Sequence, residues 1–178
     1  MDGVRIDRRS LTVFAGTLLA GLGAAARDAA ADDLGISRAA SSIHQEVVFK
    51  ASPARVYQTL TEAARFDKVV RLSQAFKSMA PTDAPAQIES EPGGAFSLFG
   101  GYITGRQIEL SPNVRIIQAW RSASWPPHIY SIAKFELADH PAGCKLMFDQ
   151  TGFPDDQAEH LAAGWRENYW EPMAKAFV

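Results

Sequence analysis

The sequence predicts an α+β domain: a curved antiparallel sheet of six or seven strands wrapped around a long C-terminal helix, with two short helices after the first strand. Three observations carry this. Segments of alternating apolar and polar residues, separated by Gly, Pro and Asn, fill the middle of the chain. The last stretch, Asp155 to Val178, is periodic at about 100° per residue, which puts Ala158, Leu161, Ala162, Trp165, Tyr169, Pro172, Met173 and Ala176 on one face. Between these, Ser52-Pro53 offers an N-cap followed by proline at the first helical position, a start signal directly after a strand.

In order, Val47, Phe49 and Ala51 alternate with Glu46, Val48 and Lys50 in a strand with one inward face. Val56, Tyr57 and Leu60 form the apolar face of a short helix. Phe66, Val69, Val70, Leu72, Phe76 and Met79 continue at helical spacing as a second helix, which Pro81 and Pro85 end. A strand begins near Ile88, and Pro92-Gly93-Gly94 turns the chain. Ala95 to Phe99 alternates with Phe96 and Leu98 on one side, and Gly100-Gly101 is a second turn. Tyr102 to Leu110 is a strand with Gly105 as its bulge candidate. Arg115 to Ser122, Tyr130 to Leu137, and a strand carrying Cys144, Leu146 and Phe148 complete an antiparallel meander. In the final helix Asp156 and Glu159 read as a capping box, and Pro172 predicts a kink near the end.

The chain has 178 residues and a net charge of −2, with no block of basic residues. Nucleic-acid binding is therefore not expected. Cys144 is the one cysteine, which excludes an intramolecular disulfide and a cysteine-based zinc site. It is expected to be a small buried residue in a strand. No histidine pair has helical ligand spacing, and no P-loop, dinucleotide or G-x-S-x-G fingerprint is present, so neither a metal nor a cofactor is expected.

Residues 1–31 resemble a bacterial twin-arginine signal peptide. Arg8-Arg9 precedes a mild apolar run, and Ala29-Ala30-Ala31 supplies an A-x-A cleavage site. The run is too short and too weakly apolar for a stable membrane span. Its removal takes away four arginines and three aspartates and leaves a net charge of −3. The expected location is periplasmic or secreted. Residues 32–42 read as a polar, alanine-rich linker, and the domain occupies residues 43–178.

Taken in order, Ser52-Pro53…Val56, G-G-A-F-S-L-F-G-G-Y-I-T-G-R, I-E-L-S-P, Q-A-W-R and G-W-R-E-N-Y-W-E-P resemble the START-like superfamily, also called SRPBCC or helix-grip. The branch they are most similar to is the AHSA type, named for the activator of the ninety-kilodalton heat-shock-protein ATPase. The resemblance covers His44 to Val178. It implies a sheet gripping the last helix, with a cavity between them that often holds an apolar ligand. It also implies several possible occupations: carriage of small molecules, polyketide cyclisation and co-chaperone work.

Phe96, Phe99, Trp120, Tyr130, Phe148, Trp165 and Tyr169 are the candidate cavity-lining residues, each joining an apolar body, in Trp and Tyr with a polar handle. The expected partner is an apolar or amphipathic small molecule; oligomeric state is left open. An alternative, a cyclase or dehydratase-like enzyme, requires Asp149, Glu109 or His128 inside the cavity for proton transfer. Arg106 and Arg121 are candidates to hold a ligand carboxylate or to pair with Glu109, with pairing or solvation the expectation, and His160 is expected to face outward from the last helix.

Overall fold

The computed structural model describes residues 41–78 and 84–178. Residues 1–31, read above as resembling a signal peptide, nearly all of the expected linker, and Met79 and Pro81 lie outside the described residues. Strand β1 (Ser42–Phe49) leads into helices α1 (Pro53–Thr61), α2 (Ala63–Val70) and α3 (Gln74–Ser78). The strands β2 (Gln87–Ile88), β3 (Ala95–Leu98), β4 (Ile103–Ser111), β5 (Arg115–Ser122), β6 (Ser131–His140) and β7 (Gly143–Thr151) follow. The chain ends in α4 (Ala158–Trp165), a π-helical segment (Arg166–Trp170) and α5 (Glu171–Ala176).

The seven strands form one antiparallel sheet in the order β1-β7-β6-β5-β4-β3-β2. Consecutive strands pair as neighbours from β2 to β7, and β1 returns to the free edge of β7. Alternation decides which face turns inward. On β6, Ala133, Phe135 and Leu137 are buried, and on β7 Cys144, Leu146, Phe148 and Gln150 are buried. The intervening residues carry the charges. Burial also pushes the Cys144 thiol up, which fits an inert core residue.

Ser52 caps α1, its Oγ accepting from Arg55 N at 3.3 Å, with Pro53 at the first turn. The expected second helix is divided in two. The helix stops at Val70, and Ser73 Oγ caps a new turn by accepting from Phe76 N at 3.1 Å. Leu72, expected on the apolar face, falls in this break and is exposed. Serine competes for backbone hydrogen bonds and favours such caps over helix interiors.

Gly105 does not form a bulge. The register shift in β4 lies between Gln107 and Glu109. Gly105 instead faces Phe96 across the β3–β4 ladder, and any Cβ there would collide with the Phe96 ring and the Ala119 carbonyl. The missing side chain gives Phe96 its seat on the sheet.

The C-terminal helix departs from the expected pattern at both ends. Asp156 has a φ of 64°, and α4 begins after Gln157 without a side-chain cap, so there is no capping box. Before Pro172 the helix widens: Glu171 N donates to Arg166 O, five residues back. Proline removes a donor and crowds the preceding turn, and a π-bulge accommodates both. The inserted residue shifts the buried stripe, so Tyr169 and Trp170 are both buried although adjacent.

Two indoles fix the helix to the sheet. Trp165 Nε1 donates to Gln150 Oε1 at 2.7 Å, and Gln150 Nε2 donates to Ser131 Oγ at 2.8 Å. Trp170 Nε1 donates to Gln45 Oε1 at 2.6 Å, and Gln45 Nε2 donates to the Ala162 carbonyl at 2.9 Å. Beneath them Phe148 lies 4.4 Å from Trp165 and 5.4 Å from Trp170, centroid to centroid. Past the widened turn, Arg55 of α1 stacks over Phe177 at 5.0 Å and donates to Ala176 O at 2.9 Å.

Gly105→Ala is expected to destabilise the fold by about 1–3 kcal/mol, because backbone and ring must both move. A lower urea midpoint at unchanged slope is the measurement that checks it.

Candidate functional site

Near its N-terminal end the last helix does not close onto the sheet. A pocket of about 380 Å³ opens there, bounded by α4 and the π segment, the Phe99–Gly101 turn, the end of β5, the Ser124-Trp125 loop and α3. This is within the size range of small-molecule sites. Its apolar wall comes from Phe99, Ile103, Trp120, Trp125, Leu161 and Trp165. Tyr169 lies among them, between Phe66 at 5.5 Å and Phe99 at 5.7 Å.

Each wall residue is placed by its local sequence. Trp120 and Ser122 are inward-facing residues of β5, in step with buried Ile116 and Gln118. Phe99 sits in the three-residue turn before Gly100 and Gly101, with a φ of 52°. An aromatic residue in this left-handed region is strained, and such strain persists only where the surroundings hold it. Here the rings of Phe66 and Tyr169 do so. Gly164 borders the pocket in the middle of the helix, and a Cβ built on it meets nothing within 4 Å.

The polar groups fall into two sets. Tyr102, Ser122 and Ser124 form a hydroxyl cluster on one side, with Ser122 Oγ and Ser124 Oγ 2.8 Å apart. The hydroxyls of Ser122 and then Ser124 hold the Tyr102 phenol below the usual tyrosine value. Deeper in the wall, Trp120 Nε1 and Tyr169 Oη are closed to solvent and are each other's polar neighbours, at a geometry too poor for a full hydrogen bond. The Trp120 indole is near enough to favour the phenolate slightly, but burial dominates and pushes the Tyr169 phenol far up, so it is a neutral hydroxyl. Gln157, His160, Glu167 and Asn168 border the pocket from the helix. Asn168 Oδ1 accepts from Ala75 N at 2.8 Å and so ties α3 to the π segment.

Of the seven candidate residues, Phe99, Trp120, Trp165 and Tyr169 are brought together at this pocket. Phe96 and Phe148 are buried in the core away from it, under Gly105 and the two indoles respectively. Tyr130 is half exposed, at the foot of β6. Tyr102, Trp125 and the serines were not singled out from the sequence. The Q-A-W-R-S alternation places Ser122 on the same side as Trp120, and that signal was available.

None of the three proton-transfer candidates borders the pocket. Glu109 accepts from Arg115 Nη2 at 2.7 Å on the outer side of the sheet, not from Arg106 or Arg121. Those two donate to backbone, Arg106 to Gly93 O and Arg121 to Trp125 O. His128 is exposed in a loop with a φ of 69°. Asp149 lies on the outer face between His44 Nδ1 at 2.7 Å and Lys134 Nζ at 3.1 Å. Among the described residues no group of three or more His, Cys, Asp or Glu could hold a metal ion. No helix there is long and apolar enough to cross a membrane.

Residues 50–177 match the family described as "Activator of Hsp90 ATPase homolog 1-like protein". The chain belongs to this family. It is 28% identical over 140 residues to the mouse activator of 90 kDa heat shock protein ATPase homolog 2, covering 79% of this chain and 39% of that protein. It is 27% identical over 144 residues to the human homolog 1, covering 81% of this chain and 39% of that protein. The chain thus spans about two-fifths of the length of these relatives. Among solved structures, an HSP90 activator from Plasmodium falciparum aligns with a TM-score of 0.62 at 21% identity, covering 77% of this chain and 94% of that one. A Rhizobium loti protein aligns at 0.60 and 21% identity, covering 79% and 99%. These structures share the helix-grip sheet and terminal helix described above.

His44 and Lys134 hold the Asp149 carboxyl below its ordinary value of about 3.8. A depressed folded pKa means that the stabilisation is fully present above the ordinary value and is lost as pH falls through the folded one. Asp149→Asn is therefore expected to lower stability at neutral pH and to converge with the parent in acid. Urea midpoints measured from neutral pH downward check this.

Proposed function

We propose that this chain is a small-molecule binding protein whose ligand occupies the pocket between the N-terminal half of the last helix and the sheet. The observation that carries the reading is Gly164. A glycine inside a helix costs about 1 kcal/mol relative to alanine, and no neighbour requires its small size, since a Cβ there meets open space. What its absent side chain preserves is room at the pocket. The strained Phe99 in the same wall supports the reading. Proton-transfer chemistry finds no support in Asp149, Glu109 or His128, which lie elsewhere.

A second reading, a co-chaperone-like protein-contact module, draws on the names of the curated relatives. Those proteins are activators of a heat-shock-protein ATPase. We propose in addition that the chain is exported after loss of residues 1–31, on the strength of Arg8-Arg9 and Ala29-Ala30-Ala31. Export and a cytosolic co-chaperone role exclude one another. N-terminal sequencing of the protein made from its full chain is expected to begin at Asp32; an uncleaved cytosolic product would remove the export proposal and favour the second reading.

Native mass spectrometry of the purified protein is expected to show a bound small molecule that organic extraction removes. Gly164→Leu is expected to abolish that added mass while raising the melting temperature, because the leucine fills the space and improves the helix. Loss of stability together with retained ligand would place the ligand elsewhere.

A further inference from the structure

Exposure varies around the lining of the pocket, and that variation gives a bound molecule a direction. The aromatic wall is closed to water: Phe99, Trp120, Trp125 and Trp165 are all buried. Other lining residues meet solvent. Tyr102 is 47% exposed, and Ser124 and His160 are exposed too. Desolvation therefore favours a ligand that turns its rings inward and its polar end to the open side. Charge at that side selects neither sign. Glu167 supplies a carboxylate already paired with Arg166 Nη2 at 3.0 Å, and His160 an imidazole able to carry the opposite charge.

The hydroxyl cluster is held in place before any ligand arrives. Ser122 to Trp125 is a tight turn, closed by Trp125 N donating to Ser122 O at 3.1 Å. Ala123 N donates to Tyr102 O at 2.8 Å, which locks the turn to the residue before β4. Arg121 Nη2 donates to Trp125 O at 3.0 Å and secures the end of the turn. Inside it, Ser124 N donates to Ser122 Oγ at 3.3 Å, and the two serine hydroxyls bond each other at 2.8 Å. Ser122 is buried and acts as the support. Tyr102 and Ser124 face water, and a hydroxyl both donates and accepts. The same turn carries Trp125, whose ring lies 5.4 Å from that of Trp120. One rigid turn thus presents an aromatic wall and a polar edge side by side, and such preorganisation lowers the cost of binding.

We infer that the pocket is specific for a compact ring compound bearing a hydroxyl, bound with its ring inward, and that the Tyr102 and Ser124 side chains receive that hydroxyl. Exposed hydroxyls are hydrated. A ligand O–H at the open side replaces that water bond for bond, because it donates and accepts as water does. A bare ring strips the water and returns nothing, and an ether returns an acceptor without a donor. This specificity rests on the proposed ligand site, and the two fail separately. Three probes share one skeleton: naphthalene, 2-methoxynaphthalene and 2-naphthol. Equilibrium dialysis of each against the full-length protein at neutral pH gives the affinities. Naphthalene binding that Gly164→Leu abolishes reports the pocket itself. Against that baseline 2-naphthol is expected to bind about fivefold more tightly than naphthalene, and the methyl ether no more tightly.

Tyr102→Phe and Ser124→Ala each remove one hydroxyl from an exposed side chain, so melting temperatures are expected to stay within about 2 °C of the parent. Each substitution is expected to shrink the ratio of 2-naphthol to naphthalene affinity, and the double variant to bring it to about one. A methyl ether that binds as tightly as 2-naphthol, or a naphthol advantage that survives the double variant, overturns the assignment of the hydroxyl readers while leaving the pocket standing. Failure of all three probes to bind overturns both.

Discussion

The fold depends on a hydrogen bond that would be unremarkable at a surface: the Trp165 indole donating to Gln150. Both side chains are almost wholly removed from water. An indole gains most from burial through its large apolar area, but its N–H then requires an acceptor. Gln150 supplies one from the inner face of β7, and its own amide is taken up by Ser131, whose hydroxyl reaches the Trp120 carbonyl at 3.1 Å. The relay crosses β7, β6 and β5. It fixes the rotation and height of the helix relative to three strands at once, which apolar contact alone does not do, because dispersion has no direction.

The second tether, Trp170 to Gln45, acts on the opposite edge of the helix through β1. On a constant helical period Trp170 would fall off the stripe that carries Trp165 and Tyr169. Pro172 forces the widened turn, and the widened turn brings both residues into the interior. Trp170 then packs on Phe148 and Phe135, while Tyr169 leans the other way, onto Phe66 and Phe99. A single backbone irregularity, traceable to one proline, thus contributes a side chain to the structural core and another to the pocket wall.

The alternation in the strands was readable in the sequence, because Phe135, Phe148 and their neighbours obey a period of two with little interruption. The same parity already excluded one site candidate. Once Phe148 faces in, Asp149 must face out and Gln150 in. Trp170 was not readable, since a constant helical period puts it off the apolar face and only the π turn brings it back. Nor was the role of Gly105, because a strand glycine signals either a bulge or a close approach, and Phe96 opposite it decides which. Tyr130 misled through composition: an aromatic next to a strand has a polar end that water satisfies as well as any pocket does. The pocket itself depends on where a helix stops short of the sheet, a tertiary distance that no local pattern encodes.

The distribution of cost along the helix separates its two halves. From Trp170 onward the contacts are satisfied: an indole with its acceptor, Met173 fully buried, and Phe177 held edge-on by Phe49 at 5.5 Å and covered by Arg55. From Gly164 back toward Gln157, unfavourable terms accumulate around one space. These are a helical glycine with no steric need and, across the space from it, a left-handed phenylalanine. Natural chains sit above a stability threshold without reaching an optimum, and filling the space at Gly164 is a substitution of the kind that stabilises them. Gly164 and Phe99 meet at the pocket, while the tethers of Trp165 and Trp170 hold the helix to the sheet on either side of the widened turn.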